Sequence, residues 1–206
     1  MIKSIKYFFE QSWLLMVSSV LFGLLLALTN AAWAPRIAQN QTDKFDTLAG
    51  QMLAETQTFK TEIKGMPVES QQGKIIKTDI KKALDASGQC TGWAFEAQGS
   101  GFADKITIVI TIDADFEKLM GFGVIASNET PGFGDQIKDD YFKKQFEGAP
   151  AELLTLAKAG DRGKIDSEII AITGATVSSE AVVRIMNSYT TQVKKQLQDK
   201  GLIANE

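Results

Sequence analysis

The stretch Asp166-Ser167-Glu168-Ile169-Ile170-Ala171-Ile172-Thr173-Gly174-Ala175-Thr176-Val177-Ser178-Ser179-Glu180 decides how this chain is read. An apolar run ends in small and hydroxylated residues. Apolar positions then recur at Val182, Val183, Ile185, Met186, Tyr189, Val193 and Leu197. The first part reads as a strand and the second as one face of an amphipathic helix, from about Ser178 to Lys200. Ser178 or Ser179 suits the helix N-cap, and Glu180 suits the positive end of the dipole. Gly201 is a fitting stop. Thr173 to Ser179 is then a small-residue turn onto a helix N-terminus, which lets free backbone N–H groups come close to an anion. The plain alternative is a strand-to-helix connection without a ligand.

Upstream, the texture is that of strands. Lys105-Ile106-Thr107-Ile108-Val109-Ile110-Thr111-Ile112-Asp113 carries Ile at every even position, so one face is apolar. Leu119 to Ser127 returns as a second strand, and Thr91 to Ala97 precedes as a third. Lys74 to Lys77 and Lys82 to Asp85 read as further short strands. Asp85 to Gln89, Gln98 to Phe102 and Asp115 to Glu117 have turn composition. This spacing predicts an antiparallel meander. Gly121 and Gly123 sit inside a strand, which marks a bulge or a close approach, with simple sheet packing as the plain reading. Gln136 to Phe146 has a helical face of Ile137, Tyr141, Phe142 and Phe146, and Ala151 to Ala159 reads as a short helix or turn. The fold class expected is α+β: an antiparallel β-meander packed with helices.

Before the meander lies an uncharged run from Trp13 to Ala34. About 20 residues at helical rise cross the ~30 Å hydrocarbon layer. Trp13 and Trp33 stand at its ends, where indole rings favour the headgroup zone. Lys3 and Lys6 precede it, which places the N-terminus inside and the rest of the chain outside. Ala32-Trp33-Ala34 fits a signal-peptidase pattern, but the run exceeds a usual signal core and Pro35 follows directly. A retained single-pass anchor is the expectation. Phe45, Leu48 and Met52 then predict a short helix from about Asp43 to Phe59, followed by a turn through Gly65 and Pro67.

The 206 residues carry a net charge of −3, and nothing favours a nucleic-acid partner. The sequence has no histidine and one cysteine, Cys90. Histidine-based metal sites, catalytic triads and internal disulfides are excluded. Redox chemistry would need a bound organic cofactor. No paired acids, nucleophile elbow or dinucleotide fingerprint is present, so no catalytic or metal residue is assigned.

Two loops carry a resemblance. Thr173-Gly174-Ala175-Thr176 resembles the [Ser/Thr]-Gly-Ala-Thr motif of the covalent FMN-binding domain family. Glu129-Thr130-Pro131-Gly132-Phe133-Gly134 is similar to that family's Glu-Thr-Pro-Gly loop, and the two stand in the family's order. The resemblance implies FMN joined by a phosphoester to Thr176, with Thr173, Gly174, Ala175 and Ser178 around the phosphate. It places Glu129, Thr130 and Gly132 against the ring, where Glu129 would lower the flavin potential; a solvated loop acid is the other reading. Phe133 either covers a ring face or is ordinary packing.

The family implies a membrane-anchored electron-transfer subunit of an Rnf-type ion-translocating ferredoxin:NAD oxidoreductase complex. The alternatives are the related subunit of the sodium-translocating NADH:quinone reductase, or a non-redox anchored interaction module. Other complex subunits, membrane lipid and a flavin transferase that uses FAD are the implied partners. The expected organisation is a cytoplasmic segment (1–11), an inner-membrane anchor (12–34), a linker with a helix (35–70) and an extracytoplasmic FMN-binding domain (71–206).

Overall fold

The computed structural model describes residues 2–70 and 73–204, with side chains from residue 11 onward. The chain divides after Asp43 into two compact units.

The N-terminal element is one helix, α1 (Ile2–Met52), which runs unbroken through Pro35. From Gln11 it is long and apolar enough to cross a membrane, and Trp13, Leu21, Leu25 and Trp33 on it are exposed. The separate helix expected over Asp43–Phe59 is corrected. Its first part is the end of α1, and Phe59 lies in a strand. From Arg36 to Gln51 no further proline interrupts the chain, and the buried contacts of Phe45 and Ala49 favour continuing the helix past Pro35.

The second unit is built on a five-stranded antiparallel sheet in simple meander order. Its strands are β1 (Thr58–Glu69), β2 (Ile75–Leu84), β3 (Cys90–Ser100), β4 (Lys105–Asp113) and β5 (Leu119–Ser127). The α+β expectation holds, and β4 and β5 have the boundaries read from their alternation. β1 is a correction, because the sequence suggested helix and turn there. Its buried positions Ile63, Met66 and Val68 pair it with β2, and that pairing overrides weak local preference. The two short strands expected at Lys74–Lys77 and Lys82–Asp85 are parts of the single strand β2, apart from their outer residues Lys74 and Asp85. The turn expected at Gln98–Phe102 starts later, because Gln98, Gly99 and Ser100 still pair with Thr107, Ile106 and Lys105.

Each sheet face has its own cover. Trp93, Phe95 and the isoleucines at 106, 108, 110 and 112 join the main core with the last helix. Ala94, Val109 and Ile125 face the other way, against Phe45 and Ala49 in the last turns of α1. Gly123 belongs to that second face: a Cβ there would stand 3.0 Å from Leu48 Cδ1. The glycine therefore admits the helix, which is the packing reading of this position.

After β5 the chain makes three short turns instead of the helix expected over Gln136–Phe146. They are a 3₁₀ turn (Gly134–Lys138), α2 (Asp140–Lys143) and a second 3₁₀ turn (Lys144–Phe146). Asp139 is extended between the first two, at φ −76° and ψ 144°, and interrupts the hydrogen-bond ladder. Phe142 and Phe146 are still buried as the periodicity required, edge-on to Phe122 at 6.3 and 4.8 Å. The helix or turn expected over Ala151–Ala159 is instead β6 (Thr155–Ala157), paired parallel with β7 (Glu168–Ile170). The chain closes with α3 (Thr176–Asp199).

Candidate functional site

α3 starts at Thr176, earlier than the serine caps predicted. Ala175 is the N-cap, and no side chain caps the helix. The cause is Gly174, whose φ of +82° turns the chain sharply. Ser179 instead locks the entrance from within: its Oγ accepts from the Ile172 N–H at 3.0 Å and donates to the Ala175 carbonyl at 3.0 Å. Thr176 is therefore the first helical residue and is half-buried, while Thr173 and Gly174 are exposed and Ala175 is buried. The first-turn N–H groups have no intrahelical acceptor and no capping side chain.

The upstream loop is a tight turn. The Thr130 carbonyl accepts from the N–H of Phe133 at 3.2 Å and of Asp135 at 3.3 Å. Pro131 and Gly132, with Gly132 at φ +76°, form its corner. Thr130, Pro131, Gly132 and Phe133 are exposed. Asp135 Oδ1 is buried with no partner among the described residues.

Glu129 joins the two loops. It is only 4% exposed. Ser178 donates a short hydrogen bond to its Oε2. Its Oε1 accepts from the N–H of Ala103 at 3.0 Å and of Asp104 at 3.4 Å, in the turn between β3 and β4. Burial alone would raise the Glu129 pKa. The bonds from Ser178 and the backbone amides of 102–104 outweigh it and hold the carboxyl below the ordinary glutamate range. The carboxylate is thus a junction of hairpin, loop and helix, not a solvated loop acid. Two glycines make room for it. A Cβ at Gly101 would run into Glu129 Oε1, and one at Gly134 would stand 2.7 Å from Oε2 and 2.6 Å from Ser178 Oγ. On the open side, the Phe133 ring lies against Gly174, 3.4 Å from where a Cβ would be.

The predicted residues thus gather at one place, with two changes of role. Ser178 binds Glu129 instead of capping α3. Glu129 is turned inward, fully engaged with protein donors. The sequence reading missed Ala103, Asp104 and Asp135. It held Gly101 as part of a glycine-rich turn, Gly134 as the end of the upstream loop and Ser179 as a candidate cap, without the contacts they make here. Beside this junction, the hairpin tip walls a groove of about 560 Å³ with Lys74, Lys105 and Arg184 on its sides.

Known proteins resemble this chain over most of its length. The G subunit of the ion-translocating oxidoreductase complex of Methanosarcina acetivorans is 30% identical over 182 residues, spanning 88% of this chain and 92% of that protein. The chain belongs to this family of G subunits. The corresponding G subunit of the proton-translocating ferredoxin:NAD(+) oxidoreductase complex of Clostridium ljungdahlii is 35% identical over 123 residues, covering 58% of this chain and 64% of that one. The FMN-binding domain family matches residues 101–191, which hold both loops and most of α3. The crystal structure of Shewanella oneidensis NqrC superposes with a TM-score of 0.51 at 22% identity, covering 67% of this chain and 70% of that one. That likeness is one of fold, and it bears out the α+β class.

Proposed function

We propose that this chain is the membrane-anchored, FMN-carrying electron-transfer subunit of an Rnf-type ion-translocating ferredoxin:NAD oxidoreductase complex, with FMN held by a phosphoester to Thr176. The observation that carries this reading is the meeting of the two loops at a helix start that no side chain caps. FMN needs donors for a phosphate and a bounded surface for a flat ring. The free first-turn amides of α3 and the Thr173 hydroxyl supply the former. Thr130, the Gly132 turn and Phe133 line the latter, and Asp135 Oδ1 is a spare acceptor for a ring N–H. These residues fit the group.

When bound, FMN supplies one- and two-electron redox capacity. The protein's part is to hold it. Esterification at Thr176 removes one phosphate charge and makes occupancy independent of free cofactor concentration. Ser178 takes no part in phosphate binding on this reading, because its hydroxyl is committed to Glu129. Glu129 fixes the loop against the helix and does not act on the ring directly. A separate flavin transferase installs the cofactor, and neighbouring subunits exchange electrons with it. α1 anchors the chain in the cytoplasmic membrane lipid, with the FMN-binding domain on the extracytoplasmic side, as Lys3 and Lys6 before the apolar run favour.

The NADH:quinone reductase reading has the fold likeness behind it, but G subunits of ion-translocating oxidoreductase complexes match most of the chain in sequence. The test is the intact mass of the full chain coexpressed with a flavin transferase. Wild type gains the mass of an esterified FMN, and Thr176→Val stays folded without it. An adduct that survives in Thr176→Val removes the assignment.

A further inference from the structure

The two loops are also tied along their outer side. The Arg162 guanidinium donates to the Ala171 carbonyl at 3.1 Å, two residues before Thr173. The same guanidinium lies over the Tyr141 ring, 5.2 Å from its centroid. The Tyr141 hydroxyl donates to Gln136 Oε1 at 2.6 Å, and the Gln136 amide nitrogen donates to the Gly132 carbonyl at 2.7 Å. A continuous path of polar contacts therefore runs from the strand end before Thr173-Gly174-Ala175-Thr176 to the corner of Glu129-Thr130-Pro131-Gly132. It passes through three side chains, none of which belongs to either motif.

The donor order along this path is consistent. The Gly132 carbonyl accepts only, so it fixes the amide orientation of Gln136 and turns its oxygen to the tyrosine. Burial and the nearby Asp139 raise the Tyr141 pKa, against the opposing effect of Arg162, so the phenol keeps the proton it donates. Arg162 serves two partners at once, which a planar guanidinium can do and an ammonium does poorly.

We propose that Arg162, Tyr141 and Gln136 are positioning residues, a relay that holds the Gly132 turn in register with the Ala171–Gly174 turn. The proposal rests on the FMN reading, since these are the turns that would border the cofactor. Glu129 and Ser178 fasten the loops from the buried side, and the relay fastens them from the exposed side. The Pro-Gly corner itself has no sheet ladder to hold it, so it belongs with the segments that open easily. Loss of one hydrogen bond there shifts the local opening equilibrium by about fivefold.

The test is amide hydrogen exchange on the full chain in detergent, followed on peptides covering 130–136 and 171–176. Tyr141→Phe and Gln136→Leu should each speed exchange in the 130–136 peptide about fivefold, with β4 unchanged. The double variant should exchange no faster than Gln136→Leu alone, because the tyrosine acts through the glutamine. Arg162→Met should loosen both peptides together. In flavin-loaded protein, the same variants should alter the visible-region circular dichroism of the bound flavin. Unchanged exchange in the single variants, or additive effects in the double, overturns the relay. Altered exchange with an unaltered flavin spectrum overturns the positioning role. Wild-type protein that takes up no flavin overturns the FMN reading, while the exchange data still decide the relay.

Discussion

Replacing Glu129 by glutamine probes the junction with almost no change in shape. The carboxylate accepts from Ser178, Ala103 and Asp104 in a buried setting. Hydrogen bonds to a charged group contribute about 1.5–3 kcal/mol each, against about 0.5–1.5 for neutral ones. Glutamine can still offer its oxygen to the hairpin amides and its amide to Ser178 Oγ. The loss is therefore the charged-to-neutral difference over these bonds, reduced by the lower desolvation cost of an amide. A net destabilisation of about 2 kcal/mol follows. That is a fall in Tm of roughly 4–8 °C for a unit of this size. The pH dependence is the sharper check. The folded pKa of Glu129 lies below its unfolded value. The unfolded chain therefore binds the proton more readily, and the stabilisation is present above about pH 4.3 and lost as pH falls through the folded pKa. The gap between wild type and Glu129→Gln should be widest at neutral pH and shrink on acidification. Urea unfolding of the full chain in detergent, read by the fluorescence of the buried Trp93, measures it. A gap under about 0.5 kcal/mol at pH 7, within the range of ordinary surface substitutions, would refute the buried-junction argument. So would a gap that stays constant as pH falls well below about 4.3.

Gly134→Ala drives a methyl to within 2.6 Å of Ser178 Oγ and 2.7 Å of Glu129 Oε2, and should cost about 1–3 kcal/mol by overpacking. The same urea titration checks it, and combining it with Glu129→Gln should give less than the sum, since both disturb one cluster. Gly132→Ala places a side chain in open space but at φ +76°; about 1 kcal/mol of backbone strain is expected, with no steric contribution. Protease added outside spheroplasts should digest the domain while leaving the lipid-embedded part of α1, and full protection would reverse the proposed topology.

Much of this protein is fixed locally by its residues. The isoleucine alternation of β4 and the apolar face of α3 each follow from one periodicity, and the apolar stretch of α1 from an uninterrupted run of uncharged residues. The two motifs and their order also stand in the chain itself. Other features depend on partners far apart in sequence. β1 is a strand because β2 pairs with it, and Gly123 is a glycine because Leu48 packs there. Asp139 divides what the hydrophobic spacing alone would make one helix. Glu129 looks like a loop acid until hairpin amides 25 and 26 residues away and a serine 49 residues away converge on it. A carboxylate's role depends on which donors surround it and whether water reaches it, and only the folded chain sets both.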